Sequence, residues 1–247
     1  MAGEGVRTVV IMPARNSART LEDTFRAIPP GFVDQVVLVD NASEDDTVAI
    51  AERLGITVVR HPEDRGYGRS LKSCIRAALA AGADFVVELH PDNQYDPAYI
   101  PALLEKARSG RYAIVMGSRF LPARWAREGG MPWWKFANNR ALSLVNGALL
   151  GHRLSEFHSG YRVYRADFLR TLPLDEMSDD FTAAFQVIGH AVRTGWEITE
   201  APAFCRYFDG ASQNRLRGSI KYGLGTLGES FKVFGHRVRS RLARNRA

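Results

Sequence analysis

The sequence predicts an α/β fold built on a mainly parallel sheet, and three observations lead there. Short apolar runs rich in Val and Ile recur through the first half of the chain. Stretches with helical spacing separate them. Each run stops at a polar loop of Pro, Asp, Asn or Ser, as strands do where they leave a buried sheet. Strands alternating with helices at this spacing need crossover connections, which make neighbouring strands parallel and the crossovers right-handed.

Taken in order, residues 7–12 form the first strand, halted at Pro13 and followed by the loop PARNS. A helix over 21–28 ends at Pro29, Pro30 and Gly31. Residues 35–39 are the second strand. Glu44, Asp45 and Asp46 then lie in the first turn of a helix, where acids complement the dipole, and Gly55 closes it. Residues 56–59 are the third strand, and Gly66 and Gly68 lead into an Ala- and Leu-rich helix over 70–81. The fourth strand, 85–89, ends in HPDNQYDP. Pro97 opens a helix reaching Arg108, and 112–116 is the fifth strand. Beyond Ser118 the pattern changes to an Arg- and Gly-rich loop over 120–130 and a helix over 131–150. A turn with a short strand and helix near 155–165, a helix to Thr194 and a last strand over 197–204 complete the chain's regular pattern. Residues 1–213 read as one domain and 214–247 as a basic amphipathic C-terminal helix.

Composition narrows the class. At 247 residues, with 45% apolar and 24% charged residues, the chain has the make-up of a soluble globular protein. Its two cysteines, Cys74 and Cys205, give neither a disulfide framework nor a zinc pattern, which suits a reducing, cytoplasmic compartment. The N-terminal stretch lacks a signal peptide's basic start and long apolar region. No run reaches the roughly 18 apolar residues of a spanning helix, so membrane contact is expected to be peripheral. The net charge of +6 is concentrated in residues 214–247, where nine Lys and Arg face one acid, Glu229. The body is nearly neutral and lacks a basic face with interleaved aromatics, which argues against nucleic acid.

HPDNQYDP carries the clearest chemistry. At the carboxyl edge of a parallel sheet, where ligands of open α/β folds bind, it offers Asp92 and Gln94. Two oxygen donors two residues apart suit a hard divalent ion that also bridges phosphate oxygens. The plainer alternative is a polar loop in which Asp92 or Asp96 caps the following helix.

Four pieces stand in order on the strand ends: PARNS, VDNASEDDT, HPDNQYDP and GSRF. Together with the later SGYRVYR they resemble the family 2 inverting glycosyltransferases of GT-A fold, above all the dolichyl- and polyprenyl-phosphate sugar transferases. The resemblance covers roughly residues 7–215. It implies a three-layer α/β/α sandwich, a nucleotide-sugar donor (a UDP- or GDP-sugar), Mg2+ or Mn2+, and a lipid-phosphate acceptor. It further implies that Pro13, Ala14, Arg15 and Asn16 line the nucleotide pocket, that Asp40 and Asn41 meet the base or ribose, and that Gly66 lets the backbone approach the donor. Asp92 and Gln94 would hold the metal, with His90 a further candidate ligand. Arg119 and Arg162 match the acceptor-side arginines, whose planar forks suit phosphate oxygens. Arg206 matches the arginine of the family's late R..GESK segment.

Several residues depart from the family pattern. His90 and Pro91 replace the first Asp and the Ala of the usual DAD, Ser17 replaces a Glu, Asn41 an Asp, and Gln213 stands where a Lys is usual. Arg215, Arg217 and Lys221 are candidates to supply that missing charge. Asp40 also reads as a helix cap, Gly66 and Gly68 as a loop needing positive φ, and His90 as a structural hydrogen-bonder. If the acceptor is a hydroxyl, a carboxylate must take its proton. Asp179 and Asp180 are the candidates, and SDDF reads equally as an N-cap. A phosphate acceptor needs no such base. Besides these two enzyme readings, a nucleotide-sugar-binding scaffold without catalysis fits the departures.

In the tail, Ile220, Leu224, Leu227, Phe231, Phe234, Val238 and Leu242 form an apolar helical stripe accompanied by Lys221, Arg237, Arg239, Arg241 and Arg244. Such a helix either lies on the anionic inner face of a membrane or packs on the domain or a second subunit, giving a homo-oligomer. Met131, Pro132, Trp133 and Trp134 are either an interfacial aromatic cluster or core.

Overall fold

The structure is a computed structural model that describes residues 5–208 and 216–244, without the side chains of 216–220 and 240–244. Among these residues one seven-stranded sheet forms, in the order β3-β2-β1-β4-β6-β5-β7. Its strands are β1 (Thr8–Ala14), β2 (Gln35–Asn41), β3 (Thr57–His61), β4 (Phe85–Glu88), β5 (Tyr112–Ser118), β6 (Arg162–Arg165) and β7 (Glu197–Pro202). Only β6 is antiparallel to its neighbours, β4 and β5. The mainly parallel α/β sandwich that the alternation of elements predicts is therefore the observed fold. The reversed β6 was not legible, because a four-residue strand carries no mark of direction.

Nine helices are described: α1 (Leu21–Arg26), α2 (Thr47–Arg53), α3 (Tyr67–Ala80), α4 (Ile100–Arg108), α5 (Arg124–Glu128), α6 (Trp133–Leu150), α7 (Ala166–Leu169), α8 (Thr182–Arg193) and α9 (Leu216–Arg244). Continuous apolar strands bury both faces of the sheet. From β1, Val9 and Ile11 pack with Leu71 and Ile75 of α3 and Phe185 and Ile188 of α8. Val10 and Met12 pack on the other side with Leu21 of α1, Ala51 of α2 and Leu103 and Leu104 of α4. Each such side chain, fully withdrawn from water, contributes about 1.5–3 kcal/mol. The helices on both faces thus hold the carboxyl ends of β1, β2 and β4 at one edge, where the polar loops emerge.

The C-terminal helix α9 packs against α8 and α6, and its orientation differs from that of an ordinary surface helix. Among its described side chains, Thr226, Glu229, Ser230 and Val233 are buried. Ser230 donates to Asn146 Oδ1 at 3.0 Å, Arg193 pairs with Glu229, and Arg237 donates to the Leu149 carbonyl at 3.1 Å. Four residues of the apolar stripe face away: Leu224 is 67% exposed and Phe231 61%, with Phe234 and Val238 also exposed, while Leu227 is half-buried. Among the described residues, no helix is long and apolar enough to cross a membrane.

Candidate active site

A cavity of about 930 Å³ opens at this carboxyl edge and runs to the cleft between α6 and α9. Pro13, Ala14, Arg15, Asn41 and Gly66 line one end. Asp64, in the loop before α3, joins them: it pairs with Arg15, accepts from Asn41 Nδ2 at 2.5 Å and accepts from the Gly66 amide at 2.9 Å. Asn16 and Asp40 do not line the cavity. Asn16, at φ 52°, ties two strand-end loops together, since its Oδ1 accepts from the Glu44 amide and its own amide donates to Ser43 Oγ, each at 2.9 Å. Asp40 Oδ2 accepts from the Ser43 amide at 3.1 Å, while its buried Oδ1 has no hydrogen-bond partner.

The glycines before α3 serve the fold as much as any ligand. Gly66 takes φ 89°, and an added Cβ there would collide with the Asp179 carbonyl. The Gly68 amide donates to that carbonyl at 2.8 Å, and a Cβ on Gly68 would lie 2.6 Å from the Asp180 carbonyl. Both positions let α3 press against residues 178–180 backbone to backbone. Gly68→Ala is therefore expected to cost about 1–3 kcal/mol, measurable as a fall in the urea midpoint with an unchanged slope.

His90, Asp92 and Gln94 line the middle of the cavity. Asp92 Oδ1 accepts from the Gln94 amide at 3.1 Å, and Gln94 Nε2 approaches the Arg206 carbonyl at 3.4 Å. Arg206 meets the site through its backbone; its exposed side chain is not on the cavity wall. Burial raises the Asp92 carboxyl above its ordinary value, outweighing the His90 charge and nearby amides. A carboxylate made costly by burial suits a cation. No cluster of three His, Cys, Asp or Glu among the described residues could hold a metal alone. One carboxylate and one amide oxygen nevertheless fit an ion of the Mg2+ type, which takes the rest of its shell from phosphate and water.

His90 lies over a buried carboxylate that sequence inspection passed by. Glu88, the last residue of β4, is fully buried and accepts from the hydroxyls of Tyr67 and, at 2.6 Å, Tyr164. His90 Nε2 stands 3.6 Å from Glu88 Oε1, an ion-pair separation too long for a formed hydrogen bond. Burial opposes the imidazolium, but Glu88 and then Asp92 outweigh it, so His90 titrates above its ordinary value. The signal was present in the chain: an acid inside the run FVVEL is out of place in a strand buried on both faces.

The two predicted arginines line the cavity, but their forks are engaged by the protein. Arg119 grips the fully buried Glu156 with Nε (3.0 Å) and Nη2, and reaches the Tyr207 hydroxyl with Nη1. Arg162 donates to the carbonyls of Ser159 at 2.7 Å and Ala184 at 2.6 Å. Neither is a free rim cation, because burial demands a partner for each charge. Lys135 and Trp134 of α6 and the ring of His158 join this wall, and Leu142, Val145 and Leu227 line the cleft beyond.

Asp179 and Asp180 do not line the cavity, and their side chains are exposed. Asp179 pairs with Lys72 at 2.5 Å. Asp180 Oδ1 accepts from the Thr182 amide and the Ser178 hydroxyl, each at 2.8 Å, capping α8. Burial opposes its ionisation, but the hydrogen bonds of Thr182, Ser178 and Lys221 hold its carboxyl down at about 2. Asp180 thus holds the start of α8 and Asp179 is held by Lys72. Lys221 comes within 3.4 Å of Asp180 Oδ2; Gln213, Arg215 and the side chain of Arg217 lie outside the described residues.

A family model described as "Glycosyl transferase family 2" matches residues 9–172. The chain belongs to this family. It is 30% identical over 208 residues, 80% of this chain and 82% of the relative, to an undecaprenyl-phosphate mannosyltransferase of Micrococcus luteus. It is 29% identical over 213 residues to Glycosyltransferase AglD of Haloferax volcanii; the match takes in 80% of this chain and only 33% of that longer protein. Among solved structures, glucosyl-3-phosphoglycerate synthase from Mycobacterium tuberculosis, in complex with Mn2+, UDP and phosphoglyceric acid, superposes with a TM-score of 0.69 at 20% identity, covering 94% of this chain and 79% of that one. That likeness establishes the shared fold.

Proposed function

We propose that this glycosyltransferase moves a sugar from a UDP- or GDP-sugar to a polyprenyl phosphate, with inversion at the anomeric carbon. The course of the cavity carries the reading. One space joins the strand-end loops to an apolar cleft between α6 and α9, with two buried arginines on its wall. A molecule with an anionic head and a hydrocarbon tail matches both ends, and the relative named for undecaprenyl phosphate agrees with it. Purified protein with Mg2+ or Mn2+ is expected to release UDP or GDP from at least one nucleotide sugar when farnesyl phosphate is present. Absence of release across UDP- and GDP-sugars would sink the proposal.

Asp92 and Gln94 are the residues that would hold Mg2+ or Mn2+, which supplies neutralisation of charge on the departing diphosphate. A phosphate monoester is already an anion at neutral pH. Its oxygen attacks the anomeric carbon as the bond to the donor's β-phosphate oxygen breaks, and the electron pair leaves with the nucleoside diphosphate. No proton needs removing. This agrees with Asp179 held by Lys72 and Asp180 tuned far below a useful base. Asp179→Asn and Asp180→Asn are each expected to keep kcat within about threefold, whereas the loss of a required general base costs about 10²-fold or more. A loss of that size would transfer support to a hydroxyl acceptor.

The exposed faces of α6 and α9 give the lipid a setting. Trp133, at 81%, and Leu144 on α6 are exposed, as are Leu224 and Phe231 on α9, while Met131 is core against Phe120. Lys221, Lys232 and Arg239 accompany them, each worth about 1 kcal/mol near anionic lipid. Binding to phosphatidylglycerol vesicles is expected to exceed binding to phosphatidylcholine vesicles, and to drop in Leu224→Ser/Phe231→Ser. Sedimentation as a dimer without vesicle binding would assign the face to a second copy instead.

A further inference from the structure

His158 belongs to the cavity wall, apart from the metal-side residues Asp92 and Gln94. It stands between Glu156, which fixes Arg119, and Arg162, on the loop before β6. Its ring stacks on Phe185 of α8, centroids 6.1 Å apart and planes at 15°. Nδ1 lies 3.2 Å from the hydroxyl of Tyr222, which α9 contributes to the same wall. Nε2 is buried without a hydrogen-bond partner. A buried polar atom left unpaired costs about 1–3 kcal/mol, and a ligand in the adjoining cavity that pairs with it would recover that cost.

The chemistry of the pair narrows what enters. Burial, then the fields of Arg119 and Arg162, hold the imidazole neutral, with its pKa pushed down to about 3. Arg162, Arg119, Tyr222 and Phe185 are the groups that face it from the elements packed around it. A neutral ring has one N–H. When the phenol of Tyr222 donates to Nδ1, that proton sits on Nε2, and the wall gains a donor between two arginines. A donor flanked by cations suits an anionic oxygen. Its tie to α9 puts it toward the apolar cleft rather than the strand-end loops.

Resting on the lipid-phosphate reading, we propose that His158 Nε2–H, set in its tautomer by Tyr222, binds an oxygen of the acceptor's phosphate monoester, so that α9 completes the acceptor site. The arginines supply charge and His158 supplies direction. Nε2 is covered in the unliganded wall, so this bond forms as the ring turns toward a phosphate seated in the cavity.

Calorimetry with farnesyl phosphate, and separately with UDP and GDP, tests the assignment on the full chain. His158→Phe is expected to weaken farnesyl phosphate binding about tenfold or more while leaving the affinity for UDP or GDP within about twofold, the spread expected of a distant site. Tyr222→Phe removes only a hydroxyl and is expected to weaken the same ligand by less. Wild-type binding of farnesyl phosphate that neither variant changes would overturn the assignment and leave the lipid-phosphate reading intact. No binding by the wild type would overturn both. Should the variants not fold, the ring nitrogens of His158 in 15N-labelled wild type give the answer: their signals are expected to move on saturation with farnesyl phosphate and not with farnesol. Signals that stay still would refute the contact.

Discussion

Asp92→Asn is expected to reduce turnover by about 10²–10⁴-fold, because neutralising the leaving diphosphate is worth several kcal/mol and each 1.4 kcal/mol is a factor of ten. Asp92 is the single carboxylate of HPDNQYDP that lines the cavity, since His90 occupies the place of the family's first Asp. With one carboxylate there is little redundancy. The variant should also lose the metal-dependent part of its thermal stabilisation by UDP or GDP, since a ligand bound only to the folded state raises apparent stability. The fold itself should not suffer. Burial raises the Asp92 carboxyl, so any stability linked to it is present at low pH and gone once pH has risen through its folded value. At pH 7 the melting temperature of Asp92→Asn is therefore expected to equal or exceed that of the wild type. A variant with full turnover would show that the site does not work through this residue.

Glu156→Gln is expected to be the most destabilising of the single changes at the site. Glu156 is fully buried, accepts from Nε and Nη2 of Arg119, and also accepts from the Arg119 amide at 3.1 Å. Removing its charge leaves a guanidinium in the interior with a neutral partner, a loss of about 3–5 kcal/mol. Replacing both partners, as in Arg119→Met/Glu156→Leu, removes the orphaned charge and should recover a large part of that loss. Urea unfolding of Arg119→Met, Glu156→Leu and the double closes the cycle and gives the coupling. A double variant no more stable than Glu156→Gln would mean that the pair is held for packing rather than charge.

Particular residues explain what the sequence revealed and what it withheld. The apolar runs and their Pro, Asp and Asn terminators marked the strands because burial on both faces leaves a continuous apolar signature, and the strand-end motifs followed. Pro13, Arg15, Asn41, Asp92, Gln94, Arg119 and Arg162 all reach one cavity. Their partners were hidden, since pairing is a property of the folded chain. Arg119 and Glu156 are 37 residues apart, and Tyr222 and His158 are 64 apart. The apolar stripe of α9 was visible in the sequence, but not the way it faces. Thr226 and Ser230 inward and Phe231 outward invert the usual rule, and only the packing against α8 and α6 reveals it.

The atom that receives the sugar distinguishes a phosphate acceptor from a hydroxyl acceptor. Phosphorus NMR of farnesyl phosphate, incubated with the protein, Mn2+ and whichever nucleotide sugar it cleaves, reads that atom. The monoester signal is expected to give way to a phosphodiester signal in step with nucleoside diphosphate release. Release of nucleoside diphosphate with the monoester signal unchanged, and the sugar recovered on a hydroxyl, would contradict it.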